Sequence, residues 1–545
     1  MNQRNKWAIL TGVILAILLS SLDQTIVSTA MPTIVQELHD LQHISWVFTS
    51  YMLGSTVTVP IYGKLSDLFG RRNLYILGII IFLAGSVLCG LSQNMTQLIL
   101  FRALQGIGGG AMMVNSFAII GDVFPPAERG RYQGFIGGVF GLSSIAGPLL
   151  GGWITDHTSW RWVFYVNIPL GIIAILVLSA ALPRIKRRPD NPAIDWTGAF
   201  FIVLTLVPLL LSLVWGGSVY SWVSWPITGS LAFAFLSFFL FVRTERRAVN
   251  PILSMDLFSN RVFVVSVCAL FLTAIGMFGA ILYIPVYSQG IIGGSATEAG
   301  LILTPMMLSL VAVSSISGQI ISRTGRYKAL AVGGTAIIVL ALFYFSTISE
   351  QTSRSSLVAR MILLGVGLGS TMPIYTLAVQ SAFGKARLGE VTAGTQLFRS
   401  VGGTVGTAIL GGIMNSRLAA EMQKMRNDPY VARLERFQSG AYSDGSLIQA
   451  VLNPENQQHI RQGFEQMPAA ERQAGLQHFQ AFLSSAKVSF SQSVGSVFFV
   501  AALLMVLALV IVSFLPEIPL RRSDTPALEE AGALMNDGRE KAGSG

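Results

Sequence analysis

Apolar runs of about twenty residues follow one another along most of this chain, and no other feature limits its folding as strongly. A hydrocarbon layer offers no water to satisfy backbone N–H and C=O groups. Only helices and closed barrels can therefore span it. Runs this long and continuous select helices. The charged fraction agrees: 12% of residues are Asp, Glu, Lys or Arg, against about 25% in soluble domains. We expect an all-α membrane protein with fourteen transmembrane helices, from 8–31 through 392–415 to 490–515. The opening "MNQRNKWAILTGVILAILL" is expected to be the first span, not a cleaved leader. Cys89 and Cys268 lie inside apolar runs and suggest no disulfide framework.

The formal net charge is +10. In a soluble chain that would point to nucleic acid; here the cations collect on one side of the membrane, and no nucleic-acid partner is expected. With the N-terminus cytoplasmic, the inner segments carry 24 Lys and Arg, and the short outer loops carry two, Arg161 and Arg354. "PRIKRRPD" (183–190) and "RTERR" (243–247) are the densest inner clusters. Both termini are thus expected in the cytoplasm, in a multi-pass protein of the plasma membrane. Residues 416–489 are polar, with eight Lys/Arg and seven Asp/Glu. They are expected to form short helices outside, since long loops escape the charge rule.

The chain repeats itself weakly. Gly63, Gly70 and Arg71 in "GKLSDLFGRR" match Gly318, Gly325 and Arg326 in "GQIISRTGRYK". Arg102 matches Arg360, and the glycine pair at 151–152 matches that at 411–412. This predicts a six-helix half over 1–183, an inserted helix pair over 184–260, a second half over 261–515 that includes 416–489, and a cytoplasmic tail over 516–545. Repeats of this kind typify secondary transporters, whose site lies between the halves.

Particular residues then acquire roles. Glycines allow a tight turn at "GKLSDLFGRR". Asp67 can pair there with Arg71, Arg72 or a neighbouring helix end, making a latch that holds one state of a rocking protein. Ser322 takes the place of Asp67 in the second copy, so that latch should be weaker or absent. Gly141, Gly147, Gly151 and Gly152 permit close helix approach, and Pro148 removes a backbone hydrogen bond. Asp23 and Arg102 are costly intramembrane charges expected in the same leaflet, where they face each other or a cavity. Asp23 is placed about two turns inside the outer end of helix 1. Arg360 is expected to snorkel and Glu390 to be a cytoplasmic loop charge. Arg399 is a second candidate for a role inside the membrane.

Four stretches together resemble one family. "GKLSDLFGRR" looks like the signature loop of the major facilitator superfamily. "LDQTIVSTAMP" (22–32), "RALQGIGGG" (102–110) and "GLSSIAGPLLGG" (141–152) resemble motifs of helices 1, 4 and 5 in its fourteen-span drug:proton antiporter branch. The resemblance implies the major facilitator fold and proton-coupled export of lipophilic, often cationic, compounds. It implies coupling through Asp23 and Arg102, a cytoplasmic gate at Gly63, Asp67, Gly70, Arg71 and Arg72, and an antiporter hinge at the helix 5 glycines and Pro148. It also puts Met112, Met113, Asn115, Met277, Phe278, Tyr283, Tyr287, Met306, Tyr375, Gln396 and Phe398 on cavity-lining helices. Protons, a small lipophilic molecule and the bilayer are the expected partners.

Two rivals share parts of this pattern. One is an exporter or flippase of a single lipid or metabolite; the other is a membrane scaffold or sensor. A scaffold has no use for a buried acid such as Asp23. The "GIGGGA" at 106–111 lies inside a helix and no G-x-x-x-x-G-K-[ST] exists, so neither a nucleotide cofactor nor an ATP motor is expected. His39 and His43 lack the carboxylate and cysteine partners of a metal site. No nucleophile stands beside a base, and no enzyme is expected.

Overall fold

The computed structural model describes residues 3–40, 43–183, 193–217, 219–293, 301–425, 448, 451–452, 454–465 and 469–518. Among these, regular structure is almost entirely helical, with one isolated bridge between Gly216 and Tyr220. Fourteen helices make up the bundle. They are α1 (Gln3–Leu38), α2 (Ile44–Phe69), α3 (Arg71–Leu91), α4 (Met95–Val123), α5 (Pro126–His157), α6 (Trp162–Ala181) and α7 (Trp196–Trp215). The rest are α8 (Trp225–Glu245), α9 (Arg261–Tyr287), α10 (Thr304–Thr324), α11 (Lys328–Ser346), α12 (Arg354–Ala382), α13 (Leu388–Lys424) and α14 (Ala469–Ser513). Thirteen are long and apolar enough to cross a bilayer. The other, α2, is rich in Ser, Thr and Gly, and at 26 residues it is long enough to cross with its neighbours.

Local chemistry starts several helices. Side chains of Asn94, Asp195, Asn260 and Ser353 accept from backbone N–H groups at the first turns of α4, α7, α9 and α12. Each satisfies a donor that the helix itself leaves open. Gly70 sits between α2 and α3 with φ 90°, and Gly325 ends α10 with φ 69°. Both breaks need the positive φ that glycine tolerates, but the turns differ, with ψ 145° at Gly70 and 4° at Gly325.

Helices α1–α6 pack as one group and α9–α14 as another. The groups meet along α5 against α10 and α2 against α13, while α7 and α8 pair with each other and α7 rests on α2 and α13. The end of the bundle that carries residues 3 and 518 is called basal here, and the opposite end distal.

The helices overrun their expected edges. Helix α13 continues to Lys424 and α14 begins at Ala469, so much of the described part of 416–489 prolongs spans and is not a separate outer module. Leu418, Met422, Phe479, Phe482 and Ala486 are buried in one core with Ile284 and Tyr287 of α9. A short helix, Pro454–Glu465, adds Phe464, whose ring lies 6.1 Å from that of Phe479. Residues 426–447 and 519–545 lie outside the described residues, and so do most of the predicted tail and the centre of the polar segment.

Candidate transport site

The basal end is closed by side chains that cross between the two groups. Asp67, near the end of α2, accepts from the backbone N–H of Gly389 at 3.0 Å and of Glu390 at 2.8 Å. Those groups open α13, so the carboxylate satisfies orphan donors and sits at the positive end of a helix dipole. Arg71 donates to Asp67, to Ser66 and, at 2.9 Å, to Asp122. Arg72 instead donates to the Ser179 carbonyl at 2.6 Å. Gly63 is required by contact: a Cβ there would lie 2.7 Å from the Gly389 oxygen.

Glu390 is not a loop charge. It is 1% exposed in the first turn of α13 and accepts from Ser254 N–H at 2.7 Å and from Arg387 at 3.1 Å. Arg387 also makes two bonds to Asp256 and holds that carboxyl below the usual range. Deeper in, the Gln380 side chain donates to the Phe117 carbonyl and to Thr392, and accepts from Gln133 at 3.4 Å. It thus ties α4 and α5 to α12 and α13. In the second copy of the gate loop Ser322 stands in place of Asp67 and Arg326 is exposed.

Asp23 and Arg102 meet inside the first group. Arg102 Nη1 donates to Asp23 Oδ2 at 2.5 Å; the side chains are 1% and 0% exposed. Gln105 and Asn167 each donate to Asp23 Oδ1 at 2.8 Å. The guanidinium lies 4.4 Å from the centre of the Tyr51 ring and donates to the Val47 carbonyl. Asp23 lies deeper than expected because α1 runs on to Leu38, about 22 Å beyond it. Both charges are neutralised by each other and by amides, and neither lines the central cavity described below. Arg360 reaches toward the distal end of the neighbouring helix α11. It is 4% exposed, stacks 4.3 Å from the Tyr344 ring centre and donates to Thr347.

The helix 5 glycines form a seam against α1, on the face that carries Ser21, Thr25 and Thr29 and is turned away from Asp23. A Cβ on Gly147 would stand 2.0 Å from Thr25 Oγ1, and one on Gly151 would stand 2.1 Å from Thr29 Oγ1. Ser21 and Ser143 share a hydrogen bond of 2.6 Å, and Thr25 donates to the Ser143 carbonyl at 3.0 Å. Pro148 lies within α5 beside this seam. Gly141 faces Met307 of α10, whereas Gly152 has nothing within 4 Å. Gly147→Ala is therefore expected to lose about 1–3 kcal/mol of packing and to slow any transport that needs α1 and α5 to stay in contact. Gly152→Ala is expected to leave both unchanged. Melting temperature and transport rate in reconstituted protein check the pair; equal effects from the two substitutions would count against the seam.

A cavity of about 70 Å³ lies between the groups, lined from α4, α5, α9, α10, α12 and α13. Its walls combine Phe117, Phe140, Leu270, Leu310 and Met372 with Gln133, Ser314, Gln396 and Arg399. Of the eleven sequence candidates, Gln396 lines it. Met112, Asn115, Tyr283, Tyr287, Met306 and Tyr375 are buried in helix packing instead. Tyr287 donates to the Ser349 carbonyl and Tyr375 shares a hydrogen bond with Thr335. Met277 packs on the second core, Phe398 on Phe258, and Phe278 is 36% exposed. Met113 touches the cavity indirectly, through its sulfur 3.9 Å from Arg399 Nη2. Sequence reasoning missed Gln380, Asp122 and Gln133. Polar residues inside apolar runs were the signal that could have found them.

Two helix groups joined around a central cavity, with crossing contacts that close one end, define a transporter-type membrane bundle. The chain belongs to the major facilitator superfamily, whose family model matches residues 13–407. It is 40% identical over 519 residues to the multidrug transporter protein MdtP of Bacillus subtilis, covering 95% of this chain and 94% of that one. It is 38% identical over 409 residues to multidrug resistance protein 3 of the same organism, covering 75% and 79%. The solved structure of the proton:xylose symporter XylE has the same fold, with a TM-score of 0.55 at 14% identity, covering 95% of this chain and 97% of that chain. The protein is a multi-pass membrane protein of this superfamily, not an enzyme.

Proposed function

We propose that this protein exports lipophilic small molecules of varied structure, as a multidrug transporter, in exchange for protons. The observation that carries the reading is the cavity at the joint between the halves, above a basal seal built from reversible side-chain contacts. The names of the two Bacillus relatives support the substrate class. The basal end is taken as cytoplasmic, in the plasma membrane, because Lys and Arg concentrate there. Residues 1–183 and 261–515 act as the rocking halves, with 184–260 as an inserted pair. The sealed basal end then corresponds to a state that receives protons and releases substrate outside.

Asp23 is the proposed proton carrier, and it works through its partner. Protonation removes the negative charge that compensates Arg102, in surroundings where an unpaired cation is costly. Asp23 lies on α1 two residues from Thr25, whose side chain enters the seam with α5, and α5 carries Gln133 into the cavity. Proton and substrate thus act at different levels along α5, the seam at Ser143–Gly151 and the cavity at Gln133–Phe140, and need not share one carboxylate. Purified protein in weakly buffered detergent tests the reading against a panel of lipophilic compounds, with proton release as the readout. Release on addition of some members is expected, and it should vanish in Asp23→Asn. Binding with no release by any compound would overturn the exchange.

A further inference from the structure

We infer that the central cavity prefers amphipathic acids, because Arg399 stands in it without an anionic partner, among unpaired hydrogen-bonding groups and apolar walls. This rests on the export reading and specifies its substrate. Arg399 lies eleven residues into α13, about 16 Å from its basal start. Its guanidinium is protonated at any physiological pH. Arg71 and Arg102 face carboxylates. Arg399 instead approaches the Met113 sulfur at 3.9 Å, a weak acceptor. Among the described residues no carboxylate pairs with it, and no acidic side chain lines the cavity.

The groups around it complete the pattern. Gln380 donates its amide nitrogen to Phe117 and Thr392, so its oxygen must face Gln133. Gln133 therefore donates through nitrogen and leaves its oxygen buried and unpaired. The Gln396 amide oxygen and the Ser314 hydroxyl are likewise buried without partners, at residues 3% and 0% exposed. Buried polar atoms normally find partners. Once the cavity widens beyond its about 70 Å³ in this sealed arrangement, a ligand acid would meet Arg399, its N–H or O–H groups would meet the two amide oxygens, and its apolar body would lie on Phe117, Phe140 and Leu310. A cationic ligand would face like charge in a low-dielectric site. The inference narrows the lipophilic class and leaves its breadth of shape intact.

The test uses three matched fluorescent probes on purified full-length protein: pyrenebutyrate, its methyl ester, and a pyrenylmethyl trimethylammonium salt. Wild type is expected to bind the carboxylate about tenfold or more tighter than the ammonium. Arg399→Gln is expected to weaken carboxylate binding by about ten- to hundredfold while changing the ester far less. Arg399→Lys should retain part of the preference. Should Arg399→Gln fail to fold, the wild-type preference and the lysine variant still decide. Equal or tighter binding of the ammonium by wild type, or an undiminished carboxylate preference in a folded Arg399→Gln, would overturn the inference and leave export standing. No binding of any probe overturns it too, and export fails as well only if the wider panel also shows no transport.

Discussion

Asp23→Asn should be the most damaging single substitution in the first half. The asparagine keeps the shape of the side chain but leaves the Arg102 guanidinium, 1% exposed, without its counter-charge. Removing one partner of a buried pair costs about 3–5 kcal/mol. We therefore expect a large loss of unfolding free energy for the variant in detergent, together with loss of transport driven by a pH gradient. The double variant Asp23→Asn/Arg102→Gln should recover much of the stability, because no charge is then stranded, but none of the coupling. Additive losses in the two single variants and the double would mean that the ion pair is not what they share.

Asp67→Asn should shift the balance between transporter states. The carboxylate joins α2 to the start of α13 through two backbone N–H groups and is held by Arg71. An amide oxygen can keep one of those bonds but carries no charge for the helix dipole or the guanidinium. At about 1.5–3 kcal/mol for a bond to a charged group, the sealed population should fall about 10- to 150-fold relative to the open one. A cysteine introduced basally near Gln380 should then react faster with a membrane-impermeant thiol reagent added from that side. Ligand binding should persist, since no cavity wall changes. Wild-type labelling and transport rates together would remove Asp67 from the gate.

Much of this architecture was readable from the chain, for identifiable reasons. Twenty-residue apolar runs have one solution in lipid, so the spans were plain. The helix ends were not: α13 and α14 continue beyond the membrane on polar sequence that keeps buried Leu418, Met422, Phe479 and Phe482 at helical spacing. Charged residues inside apolar runs stood out because each needs a partner, which is why Asp23 and Arg102 were paired early. The cavity lining was nearly illegible. In a soluble helix the apolar stripe marks the inside, but here lipid-facing Phe235 and Phe239 are as apolar as buried Tyr375. Which face turns inward is decided by packing among fourteen helices. Glu390 was misread because the start of α13 was placed at residue 392, four residues after its actual start at Leu388.

The length of α14 has a mechanical consequence. Its 45 residues make a rod of about 67 Å, roughly twice the thickness of the hydrocarbon layer. The projecting part is fastened through Phe479 and Phe482 to the distal turns of α9 and α13, so it tilts with the second half and not independently of it. A long pointer fixed to a rocking body magnifies the rotation at its tip. If the halves rock as proposed, a fluorescent label or an antibody fragment on this projection would follow the motion, or arrest it, without entering the substrate path.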